Sequence, residues 1–591
     1  MRGLENFGGM ARRPVRANSH GGPTPVGGIE QMASGVHAHS AERGIVAAPW
    51  SLVVALLPTL AALFAVEAYG PTLRAIIDLR PDLLTPAIVA LAAICTAFGF
   101  LRYPAEAKSA RLLLLGLSLA SGLYALLLGA DIAVADAPAH EALAASIGPA
   151  MRYAVPLAAL FALLSVWRPS FAVLPFVVVT LHKDLTRSLS GATHMGSSDY
   201  LPLVEVGFFL AVGFSALALM RRSVRRSEGR TVALDPAWAG SLLLAVAIGA
   251  HLGNYFMSGM AKVMLDGGPF SWALENPTAS LMLAGYNLGT APLAAFPAIF
   301  DALHAGLSAL EIPLNVATLG AQLLCFLAFL HRRALIGFAL FFDAMHIAIF
   351  ALTGAMFVTW IVLNSLIVAA VARTSPRFFR PSVIVTGMLV TVLGHQVFWN
   401  AELGWYDGRQ VRHAYFTAID AEGTEHRVPH SFFRESSYLL LGRQFGYKEH
   451  TRPSSHVPTS SWGQIGIQTV PAAEYGLSNR EVMERARDCA VPAPSASSAA
   501  DYDEQAVAAF IRGQHRRAMA YKEAGRRNRY HAYPHHHLAV PSLFQGFDAL
   551  DPTAVVAYRY VVETVCLDAA PEGLVRRVMH RTASQRIAID D

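Results

Sequence analysis

Apolar residues run through the chain in blocks of about 20 from Ala48 to Asn400, broken by short polar stretches with clustered arginines. A helix needs about 20 mainly apolar residues to cross a bilayer. The blocks predict spans near 48–70, 85–102, 112–135, 149–166, 169–186, 200–220, 237–264, 310–331, 334–354, 356–372 and 382–398, about eleven in all. Trp167-Arg168-Pro169 divides the fourth from the fifth. Residues 1–47 have no sustained apolar period and are rich in Gly, Pro, Ser and His, so they read as disordered. After residue 400 the apolar blocks stop. Ala414 to Val428 predicts a hairpin turning at Ala421-Glu422-Gly423. Ser478-Asn479-Arg480-Glu481 has the form of a capping box opening a helix through Arg487. A helical period follows over Asp501 to Gly525, then strands over Val555–Val565 and near Leu574–His580. The predicted fold class is an all-α polytopic membrane protein with a C-terminal α+β extracytoplasmic domain. Its parts are a cytoplasmic tail (1–47), a transmembrane domain (48–400) and the α+β domain (401–591).

Composition sharpens this picture. Of 591 residues, 54% are hydrophobic and 15% charged, against about 25% charged in a typical soluble domain. An ordinary cytosolic enzyme, a disordered chain and a nucleic-acid binder are excluded. The net charge is only +5, and its basic residues fall between apolar blocks. Such clusters mark cytoplasmic loops. Arg221-Arg222-Ser223-Val224-Arg225-Arg226, Arg332-Arg333, the stretch Arg373 to Arg380, and Arg102, Lys108 and Arg111 thread consistently with the N-terminus inside and the C-terminus outside. The loop 136–147, with Asp136 and Glu141, then lies outside. The first apolar block starts too late for a secretory signal, so an uncleaved first span in the plasma (inner) membrane is expected. Cys95 and Cys325 fall in spans and are expected to be free, buried thiols. Cys489 and Cys566 share the outer domain, where an oxidising compartment favours a disulfide between them.

Ionisable groups within spans face a cavity or a partner. The seventh span carries His251, Tyr255, Ser258 and Lys262, whose spacings of 4, 3 and 4 place them on one helix face. Such a stripe lines a site or water path; alternatively Lys262 snorkels to the interface while Tyr255 and Ser258 bond to a neighbouring helix. In the ninth span, Asp343 and His346 are one turn apart, where a carboxylate can fix an imidazole's tautomer. His182-Lys183-Asp184 ends the fifth span, His194 lies in the loop after it, and Glu205 lies in the sixth. The threading brings Lys262, His182 and His194 to the outer half of the membrane. His535-His536-His537 reads as a loop tract, and no nucleophile-elbow, phosphate-loop or zincin motif is present.

Tyr255-Phe256-Met257-Ser258-Gly259-Met260-Ala261-Lys262, with Trp272 following, resembles the HTTM (horizontally transferred transmembrane domain) family, to which vitamin K-dependent γ-carboxylase belongs. The helix Phe341-Phe342-Asp343-Ala344-Met345-His346 running on to Gly354-Ala355-Met356-Phe357 resembles the family's next region, and the outer segment ending in His194, before Tyr200-Leu201, resembles a third. The likeness covers roughly 48–400. It implies Lys262 as a catalytic base that deprotonates a hydroquinone (vitamin K or another quinone), with O2 and CO2 as co-reactants and no metal. It implies catalytic or relay roles for His194 and His346, and places His182, His251, Tyr255, Asp343 and Trp272 around substrate or cofactor. The animal enzymes have two lysines where this chain has Ala261-Lys262, and residues 401–591 do not match their luminal domain. The expected partners are the lipid bilayer and a secreted protein or peptide, not nucleic acid. The competing reading is a non-catalytic membrane scaffold or maturation factor for a secreted protein.

Overall fold

The computed structural model describes residues 84–99, 107–129, 134–189, 202–226, 236–265, 267–398, 400–436, 465–466, 479–491, 504–525, 540, 543–583 and 585–589. The predicted first span at 48–70, His194, the histidine tract and Ser478 of the capping box lie outside them. The helices are α1 (Leu84–Gly99), α2 (Lys108–Leu128), α3 (Pro138–Leu164), α4 (Val173–Leu189), α5 (Pro202–Arg226), α6 (Pro236–Val263), α7 (Ser271–Glu275), α8 (Ser280–Leu288), α9 (Pro297–Ala309), α10 (Glu311–Leu324), α11 (Arg332–Thr353), α12 (Val358–Ala372) and α13 (Pro381–Leu393). Among the described residues six helical stretches are long and apolar enough to cross a membrane: Lys108–Leu128, Pro138–Leu164, Pro202–Leu219, Ala237–Val263, Glu311–Leu330 and Arg332–Thr353. Four shorter apolar helices accompany them, at Leu84–Ala97, Pro169–Lys183, Val358–Ala372 and Pro381–Gln396.

Two readings of the helical block need correction. The stretch 136–147 is not a loop, because α3 begins at Pro138. Proline at a helix start loses no intrahelical hydrogen bond, and Glu141 in the first turn suits the positive end of the helix dipole. The interval 265–309, left without elements above, holds α7, α8 and α9. These are 5, 9 and 13 residues long, too short to register as membrane-length periodicity.

Helix α6 is the most deeply enclosed of the six long apolar helices. Leu242, Ala245, Ala247, Ile248 and Leu252 on it are at most 2% exposed. It packs on α13, α10, α5 and α2, while α11 packs on α12.

The chain then forms β1 (Trp405–Tyr406), β2 (Gln410–Asp420), β3 (Glu425–Arg427), β4 (Ile465–Gly466), α14 (Asn479–Arg487), α15 (Glu504–Glu523), α16 (Gln545–Ala549), β5 (Val555–Ala570), β6 (Gly573–Ala583) and β7 (Ile587–Ala588). The main sheet is antiparallel in the order β3-β2-β5-β6, with β7 also on β5. Its hairpin turns at Gly423 as the turn residues predict. Side chains alternate along the strands. Ala414, Phe416, Ala418, Tyr558 and Tyr560 pack with Phe510 and Ile511 of α15. Val411, Val565 and Leu567, on the opposite face, pack with Met282, Leu283 and Ala284 of α8 and Phe300 of α9.

Cys489, after α14, is bonded to Cys566 of β5, with Cα atoms 5.6 Å apart. Cys95 and Cys325 are free and buried. The bridge spans 77 residues of sequence. Replacing both Cys489 and Cys566 with alanine is expected to lower stability by about 2–4 kcal/mol, read as a thermal or denaturant midpoint. An unchanged midpoint would show that the bridge does not constrain the chain.

Candidate functional site

The polar stripe of α6 divides into two stations. The lower station is a set of rings where α6 meets α11 and α12. Tyr255 stacks flat on Phe342, with centroids 3.7 Å apart and planes 2° from parallel. His346 stacks on Phe357 at 4.8 Å. Trp360 lies 5.3 Å from Tyr255, 5.5 Å from His251 and 5.8 Å from His346. Centroids of Tyr255 and His346 are 5.8 Å apart. One-turn spacings create this convergence: His251 and Tyr255 share a face of α6, as do Phe342 and His346 on α11.

Asn364 of α12 organises the polar edge. Its Nδ2 donates to Tyr255 OH at 2.9 Å, and its Oδ1 lies 2.8 Å from His251 Nε2. In this amide orientation His251 Nε2 carries the proton and donates, which leaves Nδ1 as a lone pair. Asn364 and His251 are wholly buried. Ser365 donates to Asp343 Oδ2 at 3.2 Å. Three buried atoms at this station have no hydrogen-bond partner: His251 Nδ1, His346 Nδ1 and Asp343 Oδ1. Most buried polar atoms in folded proteins are bonded, so three without a partner in one cluster call for an explanation.

The upper station surrounds Lys262, seven residues and therefore about 10 Å further along α6. Lys262 is 7% exposed. Its ammonium donates to Ser258 O at 3.3 Å and to Leu403 O at 2.5 Å, and lies 4.9 Å from the centre of the Trp272 ring. The segment 400–407 is strapped onto this end of the helix. Ser258 Oγ donates to Ala401 O, and Ala401 N donates to Asn254 Oδ1, each at 2.9 Å. Gly404 permits the approach, since a Cβ there would stand 2.5 Å from the Ala261 carbonyl oxygen. Trp272 Nε1 donates to Trp405 O at 2.9 Å, which holds the indole over the ammonium.

Behind the lysine, Asp407 is 1% exposed. Its Oδ2 accepts from Asn276 Nδ2 at 2.9 Å, and its backbone N–H donates to Asn276 Oδ1 at 2.7 Å. Burial pushes the carboxyl up from 3.8 to about 7, although the Asn276 bond and nearby Lys262 pull it down. Asn276 also lines a surface cleft of about 520 Å³ with Leu274, Glu311, Ile312 and Arg487. The unfolded chain loses the Asp407 proton near pH 4, whereas the fold keeps it to about pH 7. The fold therefore loses stability as pH rises between those values and loses no more above them. Asp407→Asn is expected to flatten that part of the pH–melting curve and to raise the midpoint at pH 8. Parallel wild-type and variant curves would overturn this.

Of the sequence-chosen residues, His251, Tyr255, Asp343 and His346 meet at the lower station, and Lys262 and Trp272 at the upper one. His182 does not join them. It is buried on α4, where its Nδ1 lies 3.4 Å from Thr186 Oγ1, and it is not one of the rings stacked in that cluster. Asn364, Trp360, Asn276 and Asp407 escaped the sequence reading. Asn364 had a usable signal, a lone amide in an apolar span. Asp407 had none, because it lies in an aperiodic stretch. Among the described residues no group of three or more His, Cys, Asp and Glu is placed to hold a metal.

No family model, curated protein or solved structure matches the chain.

Proposed function

We propose that this is an integral membrane enzyme that uses a hydroquinone, with chemistry of the oxygenation and carboxylation type. The single observation that carries the reading is the buried ring cluster with its three unpartnered polar atoms. Flat aromatic faces at Tyr255, Phe357 and Trp360 suit a flat ring. The lone pair on His251 Nδ1 and the open Nδ1 of His346 suit hydroxyl groups at its rim. Bound there, a hydroquinone would supply two electrons. The chain's own residues hold protons: Asn364 fixes the His251 tautomer, and Asp343 lies one turn from His346. Lys262 is the proposed base by the resemblance; it stands about 10 Å along α6 from the ring cluster, so it would take the hydroquinone's proton through a relay and not by direct contact. We further propose that the six long helices, the four shorter ones and the segment 48–70 make eleven spans, in the inner membrane, with 401–591 outside. A disulfide in that segment agrees with an oxidising compartment.

A second reading, a non-catalytic scaffold or maturation factor for a secreted protein, is favoured by one observation. The Lys262 ammonium is engaged by the backbone of Ser258 and Leu403, as a purely structural lysine would be. The test is hydroquinone-dependent O2 uptake by the purified protein, with assay of co-purified quinone. Lys262→Ala should abolish uptake while leaving membrane insertion and bound quinone intact. Absence of both quinone and uptake in the wild type would sink the enzyme reading.

A further inference from the structure

A separate group of buried polar atoms lies where the sheet meets α8, and it shares no residue with the two stations of α6. Strand β3 ends at Arg427, and the chain turns through Pro429 into a short helical segment, His430–Ser436. The Arg427 guanidinium lies over the Tyr415 ring, 4.7 Å from its centre. Its Nη1 donates to Asn287 O at 2.8 Å. Its Nε and Nη2 are buried and have no acceptor. These two nitrogens share one edge of the guanidinium plane, the fork that receives a carboxylate through two parallel hydrogen bonds.

Nearby acids are already taken. Glu563 pairs with Arg576 and Arg581, and Glu425 pairs with Arg559 and Arg581. Among the described residues no carboxylate lies within ion-pair distance of Arg427. A guanidinium cannot shed its proton in a protein. A buried charge left without an anion is strongly destabilising, so an unfilled fork calls for a counter-charge.

Two neighbours in sequence point the same way. His430 is 2% exposed, and neither ring nitrogen has a partner. Burial and the facing charge of Arg427 push it down to about 3, so its neutral ring offers one N–H and one lone pair. Ser431 is 1% exposed, and its hydroxyl has no partner. A run of five residues thus holds five buried polar atoms with open hydrogen-bonding capacity: Arg427 Nε and Nη2, both His430 ring nitrogens, and Ser431 Oγ.

We propose that Arg427, His430 and Ser431 form a carboxylate-binding site, with the carboxylate seated on the Nε/Nη2 edge of Arg427. The carboxylate comes either from a free small acid or from an acidic side chain of a bound peptide. The site does not depend on the quinone reading, and its test uses no turnover.

The experiment measures binding of 13C-labelled acetate, and of acetyl-Ala-Asp-Ala-amide beside its asparagine counterpart, to the full-length protein in micelles by NMR. Binding of acetate alone identifies a free small acid. Tighter binding of the aspartyl peptide than of acetate, with none of the asparaginyl one, identifies a peptide side chain. Arg427→Lys keeps the charge and removes the fork, and should weaken the bound species by about tenfold or more. If that variant does not fold, His430→Gln and Ser431→Ala should each weaken binding by about threefold. The proposal is overturned if neither acetate nor the aspartyl peptide binds, if a folded Arg427→Lys binds as well as wild type, or if both substitute variants bind unchanged.

Discussion

Gly354→Val is expected to yield no folded protein. Gly354 ends α11 with φ at 79°, in the left-handed region that a β-branched residue avoids. The contact is worse than the dihedral. A Cβ at Gly354 would stand 1.9 Å from the carbonyl oxygen of Thr290 and 2.4 Å from its carbonyl carbon. That backbone cannot swing away, because Thr290 Oγ1 donates to Thr353 O at 2.6 Å and Thr290 N donates to Gly285 O at 3.0 Å. The effect should exceed about 5 kcal/mol, a size reserved for a few mechanisms, backbone strain among them. Expression in membranes followed by detergent melting tests it. A folded variant with a midpoint near wild type would overturn the close approach of α11 to the end of α8.

The second large effect belongs to Asn364→Leu. Leucine has nearly the shape of asparagine but cannot bond, so His251 Nε2 and Tyr255 OH would lose the partners they have at 2.8 and 2.9 Å. Each buried polar group left without a partner costs about 1–3 kcal/mol, so the fold should weaken by about 2–6 kcal/mol. The same change frees the His251 ring to rotate, and on the proposed hydroquinone reading any quinone held there should be lost. A melting curve and a quinone assay read the two effects separately. Intact quinone with a lowered midpoint would assign Asn364 to the fold alone.

What the sequence disclosed follows from the length scale of each signal. Long apolar blocks and the alternation of β2 and β5 repeat over many residues, so their period is legible. Helices α7 and α8 are 5 and 9 residues long, and no period can be read from them. His251, Tyr255, Asp343 and His346 were legible because polar groups are rare in spans. Their joining through Asn364 was not, since it depends on how α12 lies across α6 and α11. Lys262 was placed on the same stripe as Tyr255. Its ammonium bonds Ser258 O on that stripe but also reaches residue 403, because the chain doubles back over Ala261 at Gly404, a return that no periodicity encodes.

The sheet has a consequence for how the chain is made. Strand β2 pairs along its whole length with β5, Gln410 opposite Cys566 and Asp420 opposite Val555. That partner follows roughly 135 residues later in the chain. At about 5–20 residues per second, β2 waits about 7–27 seconds between its own synthesis and that of β5. During that wait both of its faces carry apolar side chains, Val411 on one and Phe416 on the other. Met282, Leu283 and Phe300 come earlier in the chain and can shelter the first face as soon as β2 emerges. Phe416 meets Phe433, 17 residues on, but waits for Phe510 and the rest of α15 to be covered further. The nascent chain thus passes through a stage with one half-covered strand and an open edge. In that stage it is most exposed to proteases and to sticking to its neighbours, and a holding chaperone would have the most to protect.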